Sequence, residues 1–229
     1  MGGSIQETIN QADELYSKRE RIESVRASVD FLRPVADSTG NYELDWRLGR
    51  AFFFLGQEAA RKDLAHSYHL QGIVVCDRAA GVKPGSIEAH FWLGVNLALC
   101  ARLGSPIAAI RHALRAKREL ERAVKINAAY HAAGPLRALG RMEHKLPFWL
   151  GGSRSCARAS YEEAIAIAPQ NTVTRVYFAE LLLELREQNQ ARSQLKFILN
   201  GPHDPQWAFE IERDRRVAKE MLARLAPEL

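Results

Sequence analysis

A triplet of small, large and small residues recurs along this chain. The second member follows the first by four residues, and the third follows the second by three. Residues so spaced lie on one face of a helix, because a helix turns once every 3.6 residues. Successive triplets begin 45, 44, 41 and 34 residues apart. This self-similarity predicts stacked helical units. The triplets are Ala27/Phe31/Pro34, Gly72/Cys76/Ala79, Ala116/Leu120/Ala123, Ala157/Tyr161/Ala164 and, more loosely, Ala191/Leu195/Ile198.

A second signature, a large residue followed by a small one, lies upstream of four of the triplets. A small residue inside a helix lets a neighbouring helix approach closely. Apolar residues recur three and four apart along most of the chain, whereas alternating strand patterns are missing, so the predicted class is all-α. The pairs are Leu48-Gly49, Leu93-Gly94, Leu139-Gly140 and Phe178-Ala179.

These positions resemble the tetratricopeptide repeat (TPR), whose 34 residues form two antiparallel helices, A and B. Ala179 and Ala191 keep the family's separation of twelve residues, and Pro84 and Pro169 each stand five residues past a triplet, where proline ends a helix. The earlier units are longer, and Pro34 replaces a small residue. The resemblance implies a right-handed α-solenoid of stacked antiparallel helix pairs.

The repeat spacing predicts one solenoid over residues 1–229, made of units at about 8–40, 41–85, 86–128, 129–170 and 171–203. A C-terminal capping helix at about 203–225 would cover the last unit, because a stack of repeats exposes an apolar face at each end. Its apolar side would carry Trp207, Ile211, Val217, Met221 and Leu222, with the charged residues 212–216 turned outward.

The A helices of TPR proteins line a concave groove, and the resemblance places a mixed surface of aromatic residues and arginines there. Such a surface would suit an acidic peptide or a small organic acid, because arginine presents a planar fork of donors to a carboxylate. Alternatively, the arginines are solvated and the aromatics pack between adjacent A helices. The candidate residues are Trp46, Arg50, Phe53, Phe91, Val95, Arg137, Arg141, His144, Val176 and Glu180.

Two further segments have alternative interpretations. Residues 111–125 carry a local excess of four positive charges, which could steer an acidic partner, although a solvated outer helix face is the favoured interpretation. Residues 145–152 bring Phe148, Trp149 and Leu150 together in a loop. Such a loop either contacts a partner or folds back onto the stack, and the second is favoured here.

A narrower resemblance is to the bacterial TPR proteins associated with TRAP-type solute transporters. It rests on residues 90–94 (His-Phe-Trp-Leu-Gly), the segment 147–152 and the late residues 207–210 (Trp-Ala-Phe-Glu). It implies an accessory protein that holds an apolar or organic-acid ligand. The localisation would be cytoplasmic for the chain as it stands, and periplasmic if a signal sequence had preceded it.

The sequence offers no catalytic candidates, and we expect no enzyme, cofactor or bound metal. The seven histidines form no HExxH pair, His66 and His69 lack a third ligand nearby, and phosphate-binding loops and nucleophile elbows are missing. The three cysteines form no zinc-ligand spacing. A net charge of +5 demands no nucleic acid, and no apolar run is long enough for a membrane span. The predicted function is a scaffold that binds a protein or peptide, with a small-ligand accessory protein as the alternative.

Overall fold

A computed structural model describes residues 4–225 of the chain. Within this range the protein is all-α, with eleven helices and no strand. Two short 3₁₀ turns, Phe148–Leu150 and Pro205–Trp207, interrupt the series. The helices are α1 (Ile5–Ser17), α2 (Ile22–Thr39), α3 (Tyr42–Glu58), α4 (Lys62–Val82), α5 (Ile87–Leu103), α6 (Pro106–Asn127), α7 (Tyr130–Lys145), α8 (Arg154–Ile167), α9 (Thr172–Glu184), α10 (Gln188–Asn200) and α11 (Ala208–Ala223).

Side-chain caps mark the starts of several of the odd-numbered helices. Ser4 and Glu7 form a reciprocal capping box at α1, and the side chains of Asn41, Ser86 and Asn171 accept hydrogen bonds from the first turns of α3, α5 and α9. Such caps satisfy backbone N–H groups that have no partner within the helix. The polar residues that punctuate the sequence therefore define where these helices begin.

The chain divides into two compact units, Met1–Asn127 and Ala128–Leu229. In the first, consecutive helices α1 to α6 pack in series, and α3 also packs against both α1 and α5. Among the described residues of this unit, α2 meets α4 and α4 meets α6 through side-chain bonds such as Arg33–Gln71 and Arg115–Asp77, without close packing of the helices. The odd-numbered helices therefore form the more tightly packed layer, which is the layer of A helices in a TPR stack.

The second unit has the same construction, because α7/α8 and α9/α10 pack as pairs and α9 contacts both α7 and α11. Its core centres on Tyr161, Phe178, Leu182 and Leu195, with Ala218 of α11 packed against them. The capping helix is thus built into this core. Whether the two units form the single solenoid with the predicted boundaries stays a prediction.

Four of the five triplets lie on buried helix faces, since every member from Gly72 to Ile198 is buried. The first triplet was wrong by one position. Phe31 is 48% exposed, whereas Ser28 and Leu32 are buried and the Ser28 hydroxyl donates to the Ala12 carbonyl at 3.1 Å. The inward face of α2 therefore includes Ser28 and Leu32 in place of Ala27 and Phe31, because the Ser28 hydroxyl meets the α1 backbone at the helix contact.

The prediction that residues 212–216 all face outward was also wrong at one position. Asp214 is buried and accepts a hydrogen bond of 2.6 Å from the Thr172 hydroxyl. Burial raises the pKa of this carboxyl group, while the bond from Thr172 opposes the shift. A charged residue points inward here because α9 supplies the donor that it needs.

Candidate interaction surfaces

The A-helix face of the first unit carries a half-buried cluster of arginines, acids and aromatic rings, here called the Arg50 cluster. Asp13 of α1 accepts hydrogen bonds from Arg47 Nε at 2.9 Å and from Arg50 Nη2 at 2.6 Å. The Arg50 guanidinium also lies 3.9 Å from the centre of the Tyr16 ring. Arg50 is thus fixed by α1 on two sides. The cluster consists of Asp13, Tyr16, Glu43, Trp46, Arg47 and Arg50.

Glu43 completes the Arg50 cluster from within α3. Its carboxylate accepts bonds from Trp46 Nε1 at 2.9 Å and from Arg47 Nη1 at 2.7 Å. Two arginines are therefore balanced by two carboxylates, and the cluster has no net charge. A partner's carboxylate would have to compete with Asp13 for the Arg50 fork, although Arg50 Nε is left without a hydrogen-bond partner.

The other predicted groove residues of the first unit are Phe53, Phe91 and Val95. They pack within the layer of A helices, and the first two contact Trp92. Phe53 lies 5.4 Å from the Trp92 ring and Phe91 lies 4.8 Å from it, measured between ring centres. Phe91, Val95 and also Trp46 are buried, and Phe53 is half-buried. The aromatic residues of the predicted groove thus contribute mainly to packing between A helices.

In the second unit, Arg141 and Glu180 face each other between α7 and α9. Arg141 Nη1 donates to Glu180 Oε2 at 2.6 Å, and its guanidinium lies 4.2 Å from the centre of the Tyr177 ring. Both side chains of the pair keep about a third of their surface exposed. This pair is the most accessible part of the predicted groove in this unit.

Arg137 has a local structural role. Its Nη1 donates to the carbonyl oxygen of Ala132 at 2.9 Å, within a left-handed turn formed by His131, Ala132 and Ala133. Non-glycine residues adopt this conformation at a cost. The Trp207 ring, 4.8 Å from the centre of His131, packs on the same turn. Burial lowers the pKa of Arg137.

His144 and Val176 are both buried in the second unit. His144 Nε2 lies 3.0 Å from Glu184 Oε1, close enough for an ion pair if the ring is protonated, although the angle is poor for a hydrogen bond. Burial lowers the pKa of His144, and the nearby carboxylate only partly opposes this shift. The ten predicted residues therefore form two groups of five, one in each unit, and most of them are buried or engaged internally.

The expectation that the aromatic residues of the turn at 147–152 fold back onto the helix stack was wrong. Phe148 is 86% exposed and Trp149 is 61% exposed. The turn is nevertheless ordered by hydrogen bonds from Gly152 N to the Pro147 carbonyl and from Ser153 N to the Glu143 carbonyl. This ordered backbone holds Phe148 and Trp149 at positions from which both rings face solvent.

The outward side of α6, which the sequence predicted only as a basic helix face, also carries exposed aliphatic residues. Ile107, Ile110 and Leu114 are exposed there beside the basic residues. Their spacing of three and four residues could have shown that apolar and basic residues share one face. Three exposed aliphatic residues on one helix are not explained by a solvated surface alone.

Metal and membrane sites gain no support from the geometry. Within residues 4–225, no group of three or more histidine, cysteine or acidic side chains could hold a metal ion. No helix in this part of the chain is long and apolar enough to cross a membrane.

The family model for "RMD1-3: Regulator of microtubule dynamics protein 1-3" matches residues 8–140, more than half of the chain. The chain belongs to this family. The narrower resemblance to transporter-associated TPR proteins stays a prediction. No curated protein matches the sequence.

Solved structures show the TPR fold. A thermophilic TPR protein of Thermus thermophilus, TTC0263, superposes with a TM-score of 0.69 at 16% identity, covering 94% of this chain and 98% of its own. A mutant of MamA gives a TM-score of 0.51 at 16% identity, covering 85% of this chain and 96% of its own. At such identities the likeness concerns the fold, and it confirms the resemblance to TPR proteins.

Proposed function

We propose that this protein is a non-enzymatic scaffold that binds a protein partner on the A-helix faces of its units, and that the partner is the microtubule. The TPR-like fold supports an interaction role, because such folds present a layered helical surface to proteins. The description of the family as regulators of microtubule dynamics supports the choice of partner.

The observation that carries this proposal is the fixed position of Arg50 between Asp13 and the Tyr16 ring. A guanidinium group held by an ion pair and an aromatic face loses little conformational freedom when a partner binds. Asp13 is more exposed than Arg50, so a partner's carboxylate that binds here would displace Asp13 while the Tyr16 ring keeps the guanidinium in position.

The Arg141–Glu180 pair repeats this chemistry in the second unit. Arg141 also lies over a tyrosine ring and also binds a carboxylate from the neighbouring A helix. Each unit thus carries one arginine-on-tyrosine site of similar construction, at which an acidic segment of the partner would bind.

Microtubule co-sedimentation tests the proposal. The protein is spun with and without polymerised tubulin, and an Arg50→Gln/Arg141→Gln variant is compared with an Arg26→Gln/Arg61→Gln variant. The second variant removes the same charge from exposed arginines of α2 and of the start of α4. Circular dichroism confirms that both variants are folded.

We expect the protein to pellet with microtubules, the first variant to lose most of this binding and the second to keep it. Equal losses in both variants would indicate unspecific charge attraction and would reject the A-helix faces as the site. Absence of the wild-type protein from the microtubule pellet would reject the microtubule as the partner. The small organic-acid ligand, the alternative from the sequence analysis, stays a prediction.

A further inference from the structure

The outward side of α6 carries seven exposed residues at helical spacing, here called the α6 outer face. Four of them, Arg111, Arg118, Arg122 and Lys125, are basic, and the other three are Ile107, Ile110 and Leu114. Ile107 is 74% exposed. The opposite side of the helix is accounted for, because Ala116, Leu120 and Ala123 are fully buried against the rest of the unit.

The basic residues of the α6 outer face form no ion pair within the described part of the chain. Neither the salt bridges nor the hydrogen bonds between side chains of residues 4–225 include Arg111, Arg118, Arg122 or Lys125. Arg122 is near enough to Glu119 to help lower the pKa of that carboxyl group, but makes no direct contact with it. This contrasts with the Arg50 cluster, where each arginine is already neutralised. Four charges without a bonded counter-ion on one helix face attract an anionic partner.

The acidic residues of α6 are occupied elsewhere. Glu119 lies 2.7 Å from His90 Nδ1 and 3.9 Å from Arg115 Nε, and Glu121 lies 4.0 Å from Lys117 Nζ. Arg115 also binds Asp77 of α4. Glu121 is partly exposed on the outward side, three residues from Arg118 and four from Lys125, and the four basic residues still leave the α6 outer face with a net positive charge.

Apolar and basic residues are unevenly distributed along the α6 outer face. Ile107, Ile110 and Leu114 lie in its first half together with Arg111. Arg118, Arg122 and Lys125 lie in the second half, beside the exposed Ile126. At a rise of about 1.5 Å per residue, the face extends over roughly 27 Å. Its complement is an extended chain with an apolar residue at one end and a run of carboxylates at the other.

We propose that the α6 outer face binds an acidic polypeptide segment that carries an apolar anchor residue. The inference rests on the proposed function, because it gives the protein partner a second contact outside the A-helix faces. Ile107 and Leu114 would hold the anchor, and Arg118, Arg122 and Lys125 would bind the carboxylates.

The position of the basic residues favours a polypeptide over a lipid membrane. A helix that lies in a membrane surface has an apolar face that enters the lipid and cations on the polar side. Here Arg118 and Lys125 lie on the line that continues Ile107 and Leu114 along the helix, at successive spacings of seven, four and seven residues. Inserting this face would bury the cations together with the aliphatic residues.

Fluorescence anisotropy with two labelled peptides tests the proposal. One probe is an oligoglutamate, and the other is the same peptide with a leucine and a phenylalanine added at one end. We expect both to bind the full chain, the second more tightly, and both affinities to fall with added salt because exposed charges are screened.

Two variants and a matched control identify the surface. Arg118→Gln/Arg122→Gln/Lys125→Gln should weaken both probes by about tenfold, since three exposed charge contacts are lost. Ile107→Ser/Leu114→Ser should weaken only the probe with the apolar end. The control, Arg216→Gln/Lys219→Gln/Arg224→Gln, removes the same charges from exposed residues at α11 and should leave both affinities unchanged.

Several outcomes would overturn the proposal. One is that the control variant binds the peptides as weakly as the Arg118/Arg122/Lys125 variant does. Another is that the wild-type chain binds neither peptide. A third is that the wild-type chain binds phosphatidylserine vesicles or duplex DNA more tightly than it binds either peptide. Microtubule pelleting by the α6 variants is measured separately. If the α6 variants lose peptide binding but the Arg50/Arg141 variant does not, the inference holds whether or not microtubules are the partner.

Discussion

The side-chain amide of Asn96, in α5, donates a hydrogen bond of 3.0 Å to the backbone carbonyl oxygen of Gly49 in α3. The same nitrogen also donates to the Trp92 carbonyl at 2.9 Å, and the Asn96 oxygen lies 3.1 Å from His69 Nδ1. One fully buried side chain thus links three consecutive helices of the first unit. It specifies their register, because an apolar residue of similar size would leave buried polar groups without partners.

Replacing Asn96 should therefore destabilise the first unit strongly. Asn96→Leu keeps the branching of the side chain but is larger and removes every hydrogen bond, and we expect a loss of about 2–4 kcal/mol in the free energy of unfolding because buried polar groups are left unsatisfied. Urea unfolding followed by circular dichroism measures the change. A loss below about 0.5 kcal/mol would show that water replaces the amide.

Gly49 should not tolerate a methyl group unless the Cys76 side chain moves or is shortened. A Cβ atom at Gly49 would overlap the Cys76 sulfur but would stand 3.7 Å from Cys76 Cβ. Gly49→Ala should cost about 1–3 kcal/mol through overpacking, and Cys76→Ala in the same chain should recover part of this loss. A double-mutant cycle of thermal or urea unfolding measures the coupling.

Gly81→Ala is the matched control, because nothing lies within 4 Å of a Cβ atom at this position of α4. This substitution should be neutral or stabilising by about 0.5–1 kcal/mol, since alanine favours a helix over glycine. Strictly additive losses for Gly49→Ala and Cys76→Ala would contradict the close contact between the two residues.

The stability of the first unit should fall as pH rises above 6.5 because of His90. The Glu119 carboxylate 2.7 Å from Nδ1, together with the Pro84 carbonyl at Nε2, raises the pKa of His90 above its ordinary value of 6.5. The folded state therefore binds the proton more tightly than the unfolded state. This stabilisation is fully present below pH 6.5 and is lost as pH rises through the folded pKa.

Urea unfolding between pH 6.5 and about 8, below the range in which unfolded cysteines ionise, checks this expectation. His69, His112, His144 and His203 have lowered pKa values and so affect stability only below 6.5. His90→Gln should remove the decline, as should Glu119→Gln. An unchanged pH dependence in His90→Gln would assign the decline to another group.

The exposed aromatic turn should be dispensable for stability, whereas its backbone should not. Phe148→Ser/Trp149→Ser should change the unfolding free energy by no more than about 0.5 kcal/mol, because both rings lie in solvent. Gly152→Ala should destabilise clearly, since a Cβ atom there would overlap the Leu146 carbonyl oxygen. Thermal denaturation of both variants tests this, and a large loss in the first would mean that the rings pack onto the fold.

Thiol labelling should distinguish one cysteine from the other two. Cys156 is exposed, whereas Cys76 and Cys100 are buried, and burial raises the pKa of both buried thiols. Because the thiolate is the reactive form, one thiol per chain should react rapidly in the native protein and all three after unfolding. Cys156→Ser should abolish the rapid reaction, and a rapid phase that survives this substitution would contradict the burial of the others.

The sequence by itself determined the class of fold and most of the helix contacts. Triplets such as Ala157/Tyr161/Ala164 predicted the buried side of a helix correctly, because helical periodicity and the need for small residues at close helix contacts are local properties of a chain. The caps that the structure shows at Asn41, Ser86 and Asn171 are local signals of the same kind.

Only the tertiary structure decided which polar and aromatic residues are available to a partner. Arg50 and Arg141 have the same local pattern as free surface arginines, but Asp13 and Glu180 reach them from other helices. Arg118 and Arg122 find no such partner among residues 4–225. Exposure and charge pairing depend on residues that are distant in sequence, and local periodicity does not contain them. The fold therefore follows from the sequence pattern, and the choice of surfaces follows from how the helices meet.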